Sequence, residues 1–354
     1  MTVMKGSAPR IGVLQPGRLN LISDVPGITV GHATYANAQI QTGVTVLRPH
    51  RGDLFRDKVP AATTVLNGFA KSIGLLQIDE LGVLETPIAL TNTFSVAAVA
   101  QGQVRQAIAA NPEIGRSLAT VNPLVFECND GYLNDIQAMV LTEQDYLVAF
   151  GSAQQHFEQG AVGAGRGMSC FQLKGGIGSA SRQTSGAKAY TVGALVLANF
   201  GKLPMLTLDG YLAGPRLQAK VGDYDGLAEK GSIIILVATD APLDSRQLRR
   251  LSLRAGVGLS RMGSVFGHGS GDVALAFSTA YTIPHSPKRE MPCVALLHDA
   301  LLDPLFHACA EAVEQAIVNA LWSAKSTRGR NGHRRTGIAD LIPDWQQWLN
   351  MTEV

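Results

Sequence analysis

The stretch Ser232-Ile233-Ile234-Ile235-Leu236-Val237-Ala238 is an unbroken apolar run rich in β-branched residues, and it reads as a buried strand. Residues 243–259 follow as a helix, with Leu248, Leu251, Ala255 and Leu259 recurring at the helical period. Asp244 is placed to cap that helix, and Gln247 can reach back to complete a capping box. After it come Gly267-His268-Gly269-Ser270-Gly271-Asp272 and then a second apolar run, 272–281, read as another strand.

The same alternation extends in both directions. Upstream, 43–47, 87–91 and 190–198 read as strands, and 124–126 and 138–141 as short strands on either side of a polar turn. Residues 95–110 read as a helix, as do residues 142–150, whose first turn holds Glu143. Downstream, 304–324 is a helix with Leu305, Ala308, Ala312, Ala316 and Ala320 on one face, small enough to sit close to a sheet. Alternating blocks of strand and helix argue for a layered α/β protein.

The 354 residues are 46% hydrophobic and 16% charged, with no linker or charge block to divide them, so a single domain is expected. A net charge of +2 gives no reason to expect a nucleic acid partner. The basic run Lys325, Arg328, Arg330, Arg334 and Arg335, interleaved with Gly329 and Gly332, reads as a solvated loop. Cys128, Cys170, Cys293 and Cys309 lack CxxC spacing and read as buried free thiols, which fits a reducing compartment. No signal peptide core and no apolar span are apparent, so a cytoplasmic protein without membrane contact is expected.

The standard site signatures are missing. There is no HExxH, and the eight histidines are scattered from His32 to His333, so no metal site is expected. Lys174-Gly175-Gly176-Ile177-Gly178-Ser179 fits neither phosphate-loop order and reads as a tight, closely packed turn; lining a small-molecule pocket is a further use. Ser270 has His268 where a nucleophile elbow needs glycine, and its strand follows the serine instead of preceding it. A different chemistry is open to a serine between glycines. Its hydroxyl can attack the preceding carbonyl across a strained bond, and hydrolysis of the resulting ester leaves Ser270 as a new N-terminus. An α-amine with a pKa of about 7.7–8.0 could then act as base beside its own hydroxyl. Taken alone, the local residues favour a plain loop before a strand.

Ordered blocks along nearly the whole chain raise the weight of that chemistry. They include Asp24-Val25-Pro26-Gly27, Asn67-Gly68-Phe69-Ala70-Lys71, Thr91-Asn92-Thr93, Asn129-Asp130-Gly131-Tyr132, Lys174-Gly175-Gly176, Ala238-Thr239-Asp240-Ala241-Pro242 and Gly269-Ser270-Gly271-Asp272. In these the chain resembles the family of L-aminopeptidase/D-esterase (DmpA) and β-peptidyl aminopeptidase (BapA), self-processing N-terminal-nucleophile hydrolases. The resemblance implies a four-layer α/β/β/α sandwich with a strand connectivity of its own. It implies cleavage between Gly269 and Ser270 into chains 1–269 and 270–354 that stay together. It also implies removal of N-terminal residues from short peptides, amides or esters, no metal or cofactor, and a homotetramer.

The resemblance also assigns roles. Ser270 matches the nucleophile and Asn199 the amide that stabilises the oxyanion. Glu127 matches the acid that holds the substrate ammonium; Tyr132 lies near it, and lining the same pocket and packing in the core are both open to it. Glu314 matches the carboxylate that orients the nucleophile. Two positions depart from the pattern: Ala312 stands where the β-peptidyl enzyme has a hydroxyl, and His268 precedes Gly269 at the scissile bond. Ser278 and Ser264 are candidate substitutes for the lost hydroxyl. Two other functions stay open, an acyltransferase of related architecture and a non-catalytic binding protein, the latter favoured by Ala312.

Overall fold

The computed structural model describes residues 8–186, 188–221, 231–345 and 348. The main elements, in chain order, are β1 (Thr29–Ala36), β2 (Gln41–Arg48), β3 (Asp57–Gly68), β4 (Ile88–Asn92), α1 (Val96–Ala110), β5 (Leu124–Cys128), α2 (Glu143–Gly151), β6 (Gly176–Gln183), β7 (Thr191–Asn199), β8 (Ser232–Thr239), α3 (Ser245–Arg261), β9 (Gly271–Ser278) and α4 (Asp303–Ser323). One sheet has the order β1-β2-β4-β5. The larger one runs β3-β9-β8-β7-β6, with the short strands Val83–Leu84 and Ile283–Pro284 also paired to β3.

Each sheet contains one parallel pair, β4 with β5 and β8 with β9. Parallel neighbours need a long crossover, and α1 and α3 supply the two. The residues of β8 alternate between two apolar layers. Ile233, Ile235 and Val237 pack with residues of α3 and α4, while Ile234, Leu236 and Ala238 pack with Val30, Leu47, Leu90 and Phe126 of the smaller sheet. On that sheet's other face Val44, Val46 and Val125 pack with Val99 of α1 and Tyr146 of α2. The layers are therefore helix, sheet, sheet and helix, as the resemblance implied. A strand buried on both faces explains the unbroken apolar run of β8, since each fully buried aliphatic side chain contributes about 1.5–3 kcal/mol.

The cap of α3 is formed as expected. The Asp244 carboxylate accepts from the Gln247 amide at 2.7 Å, and the Gln247 side chain accepts from the Asp244 amide at 3.2 Å. Small residues do bring α4 close to the sheet. At Gly178 of β6, an added Cβ would lie 1.9 Å from the Ala316 carbonyl oxygen of α4.

Four expectations need correction. Residues 138–141 form no strand; a short 3-10 turn, Ile136–Ala138, stands at their start. Gly176–Gln183 is a strand and not a turn: its glycines and serines, not apolar side chains, fit the space under α4, and the Ser179 hydroxyl donates to the Ala194 carbonyl at 2.8 Å. The basic run is solvated only in part. Lys325, Arg328 and Arg334 are exposed, but Arg335 is buried and donates to the Ser169 hydroxyl at 3.1 Å, and Arg330 donates to the Gly131 carbonyl at 2.7 Å. Cys293 is exposed, whereas Cys128, Cys170 and Cys309 are buried free thiols. Among the described residues no helix is long and apolar enough to cross a membrane.

Candidate active site

Three neighbouring strands of the larger sheet end or begin at one level. Asn199 closes β7 opposite Ser232, and Ile233, next along β8, pairs with Asp272 of β9. Strands lie about 4.8 Å apart, so Asn199 and the start of β9 are about 10 Å apart across Ser232. The Ser232 hydroxyl accepts the Gly271 amide at 3.0 Å and fixes the first residue of β9. Ser270 stands just before that strand, in a turn closed by its own amide donating to the Gly267 carbonyl at 2.8 Å. None of Gly267, Gly269 and Gly271 is among the residues with positive φ, so the strain expected there is not in the φ angles of these glycines. The left-handed residue nearby is Phe266, with φ 50°.

The Ser270 side chain is 8% exposed and donates to Asp272 Oδ1 at 2.5 Å. Positions i and i+2 of an extended chain face the same way, which is why these two meet. Asp272 is buried, and its Oδ2 has no hydrogen-bond partner among the described residues. Burial pushes its pKa up to about 6, against the opposing pull of the Ser270 hydroxyl and the Ile233 amide. A bulge in the β3–β9 pairing falls at Asp272/Val273 and sets Asn67 opposite Asp272. Asn67 Nδ2 donates to the Ser270 carbonyl and, at 2.9 Å, to that of Gly267, so it holds both ends of the turn.

The segment that follows β3 links the two sheets. Phe69 donates its amide to the Ser270 carbonyl at 3.3 Å, and two residues on the Lys71 amide donates to Glu127 Oε1 at 2.8 Å. Glu127 lies near the end of β5, is buried, and takes a second hydrogen bond at Oε2 from the Thr93 hydroxyl. Between the sheets lies the Cys128 thiol, pushed well up by burial first and then by Glu127, Asp272 and Asp130 around it.

Asn199 is oriented at both ends of its amide. Its oxygen accepts the Ser169 amide at 2.8 Å, and its nitrogen donates to the Asn129 carbonyl at 2.9 Å, leaving the second N–H of the group. The loop that carries Ser169 is gathered around a buried amine: Lys174 Nζ donates to the carbonyls of Gly165, Met168 and Gly175 at 3.1, 2.8 and 2.6 Å.

Beside Ser270 opens a cavity of about 340 Å³, walled by Phe200, Met205, Val265 and the glycines of the turn, with Lys202 and Ser264 at its polar edge. Ser264 thus lies close to Ser270, whereas the Ser278 hydroxyl, at the far end of β9, donates to the Ala241 carbonyl at 2.6 Å. Tyr132 is packed against basic side chains. Its ring stacks on His333 at 4.7 Å with the Arg335 guanidinium 3.5 Å above it, and it is not among the walls of that cavity.

Among the described residues no hydrogen bond joins Glu314 to Ser270. Its carboxylate meets Arg261 at 3.4 Å and borders a separate recess with Asp209 and Gly210. Burial raises its pKa and Arg261 opposes the rise. The carboxylate on the Ser270 hydroxyl is that of Asp272, which the sequence reading quoted but did not assign. The i, i+2 spacing before a strand was the signal for it. Ala312 is buried in the apolar layer between α4 and the larger sheet, where a hydroxyl would need a partner of its own.

Comparison with known proteins gives the family. The family model described as peptidase family S58 matches residues 20–335. The β-peptidyl aminopeptidase BapA of Sphingosinicella xenopeptidilytica is 35% identical over 345 residues, covering 91% of this chain and 85% of that protein. Among solved structures, a Burkholderia sp. β-aminopeptidase superposes with a TM-score of 0.89 at 39% identity, over 98% of this chain and 97% of the other. The L-aminopeptidase D-Ala-esterase/amidase of Ochrobactrum anthropi, described as a prototype of the serine aminopeptidases and a variant of the Ntn hydrolase fold, gives 0.85 at 30% identity, over 96% and 98%. With that breadth of agreement, the chain belongs to peptidase family S58 and is a serine aminopeptidase.

Proposed function

We propose that Ser270 is the nucleophile, and that the protein frees it by cutting its own Gly269–Ser270 bond into chains 1–269 and 270–354. The observation that carries this is a serine before a central strand, hydrogen-bonded to a buried carboxylate at the mouth of an apolar cavity. After the cut, the Ser270 amine takes the proton of its own hydroxyl as that oxygen attacks the substrate carbonyl. The remaining N–H of Asn199 stabilises the oxyanion, which calls for a fixed donor. Glu127 holds the substrate's ammonium group, and the cavity of Phe200, Met205 and Val265 takes an apolar side chain. The substrates are short peptides, amides or esters with a free N-terminus. The relatives' names place β-peptides, and L-amino acid and D-alanine derivatives, among those to try. The enzyme needs no cofactor, works in the cytoplasm and assembles as a homotetramer.

Denaturing electrophoresis and intact mass spectrometry test the reading. The wild type should give two chains of roughly three quarters and one quarter of 37.5 kDa. Ser270→Ala should give one, without peptidase activity. A full-length wild type that persists under native conditions would sink the self-cleavage. Against the binding-protein alternative stand the match to peptidase family S58 and the named aminopeptidase relatives.

A further inference from the structure

A base is needed before the free amine exists. In the uncut chain the Ser270 nitrogen is an amide, its N–H is donated to Gly267, and it has no basic lone pair to offer. The proton of the Ser270 hydroxyl must therefore go elsewhere during the first turnover, the one the protein performs on itself. Four carboxylates come into question, and one of them, Asp130, takes hydrogen bonds from Thr42 at Oδ2 and from Asn134 at Oδ1. Glu314 is paired with Arg261 and has no hydrogen bond to Ser270 among the described residues. Both oxygens of Glu127 are occupied, by the Lys71 amide and the Thr93 hydroxyl. Asp272 alone accepts from the Ser270 hydroxyl, at 2.5 Å, and its other oxygen is buried and unpartnered among the described residues.

We infer that Asp272 is the catalytic base of the Gly269–Ser270 self-cleavage, and that the freed amine succeeds it for external substrates. This rests on the assignment of Ser270 above. Asp272 takes the proton of the Ser270 hydroxyl while Oγ forms a bond to the Gly269 carbonyl carbon. The C–N bond then breaks, and the departing nitrogen takes that proton from Asp272 to become the amine. The Gly269 acyl group is left as an ester on Oγ. Water adds to that carbonyl, the ester C–O bond breaks, and Oγ regains a proton. One water is consumed in all, and Asp272 ends as it began. The half-used carboxylate is suited to the part: it is fixed on the hydroxyl by one oxygen, and low solvation favours its protonated form.

The test follows the full-length chain, refolded from denaturant across about pH 5 to about pH 8 and sampled by denaturing electrophoresis. The wild-type cutting rate should rise with pH and level off above about 6, where Asp272 is ionised. Glu127 and Cys128 of the smaller sheet and Asp130 just after it are the other titratable groups of this region, Glu127, Asp130 and Asp272 all acting on the Cys128 thiol. Asp272→Asn should cut roughly 10²-fold or more slowly and lose the pH limb, while Asp272→Glu should keep a limb. Hydroxylamine, which opens esters, should not restore the Asn variant, because the block precedes the ester. Should Asp272→Asn cut at the wild-type rate with the same limb, or be restored by hydroxylamine, the assignment falls and Ser270 stands. If the Asn variant does not regain the native melting transition, the wild-type profile decides: a flat one overturns the assignment. A wild type that never cuts, or a Ser270→Ala chain that does, sinks the underlying reading as well.

Discussion

Glu127 and Asp272 are two buried carboxylates that both act on the Cys128 thiol, one near the end of β5 and the other at the start of β9. Each strand belongs to the parallel pair of its own sheet. Their hydrogen bonds differ. Glu127 is held at both oxygens by neutral donors from β3's following segment and from Thr93. Asp272 is held at one oxygen, by the hydroxyl proposed to react and with the Ile233 amide nearby, while its other oxygen has no partner among the described residues. A carboxylate gripped at two points has a fixed direction, which suits holding a cation in place. One gripped at a single point keeps a lone pair in reserve, which suits passing a proton. Position in the chain sharpens the contrast. Glu127 lies inside a strand and cannot move without breaking a ladder, whereas the bond before Ser270 can be cut with β9 left intact.

The comparison breaks most visibly at Glu127. Glu127→Gln should lower kcat/KM for an aminoacyl amide by about 10²–10³-fold, the scale of losing one partner of a buried ion pair. The two-chain pattern should remain, and an N-blocked substrate should show no further loss. Equal losses for free and blocked amines would remove the proposed role. Asn199→Ala should reduce kcat by about 10²-fold with a smaller change in KM, since an oxyanion donor acts in the transition state; a change confined to KM would contradict it.

A smaller effect concerns stability. Burial raises the Asp130 pKa to about 7, against donors from Thr42 and Asn134. A raised carboxylate binds a proton in the folded chain that the unfolded chain, at about 3.9, has released. Its contribution is complete below about pH 4 and is lost as pH rises through about 7. His32, lowered to about 4 by burial, works in the opposite sense, and its effect is largely complete by about pH 7. Urea unfolding should therefore report lower stability at about pH 8 than at about pH 7, and Asp130→Asn should flatten that slope. Smallest of all is Tyr132→Phe. The stack on His333 and Arg335 needs only the ring, so stability should change by less than about 0.5 kcal/mol and the rate not at all. A tenfold rate loss would return Tyr132 to the substrate pocket.

The larger sheet's centre was legible because β7 and β8 are apolar on both faces, and α3 because its cap and stripe are local signals. Three strands were not read as strands. β1 and β3 carry Thr, His and Lys among their apolar residues, and β6 is built of glycine and serine because α4 lies against it. For those, the requirement comes from a neighbour distant in the chain. The site divides the same way. Ser270, Asn199 and Glu127 lie at strand ends, and those ends meet at one end of the sandwich. Glu314 and Tyr132 carry long side chains whose direction no motif sets, and they turn to Arg261 and to His333. Asp272 was in plain view and passed over, since a carboxylate at a strand start has no pattern until its second oxygen is seen to lack a partner.

Lys174 has a consequence of a different kind. Three carbonyls pointing at one positive centre is what a loop offers to sodium or calcium, and here the centre is tethered to the chain. Its occupancy cannot fall with dilution, and no chelator can remove it. The loop that aims Asn199 should therefore keep its shape through desalting and through wide changes in the ionic make-up of the medium.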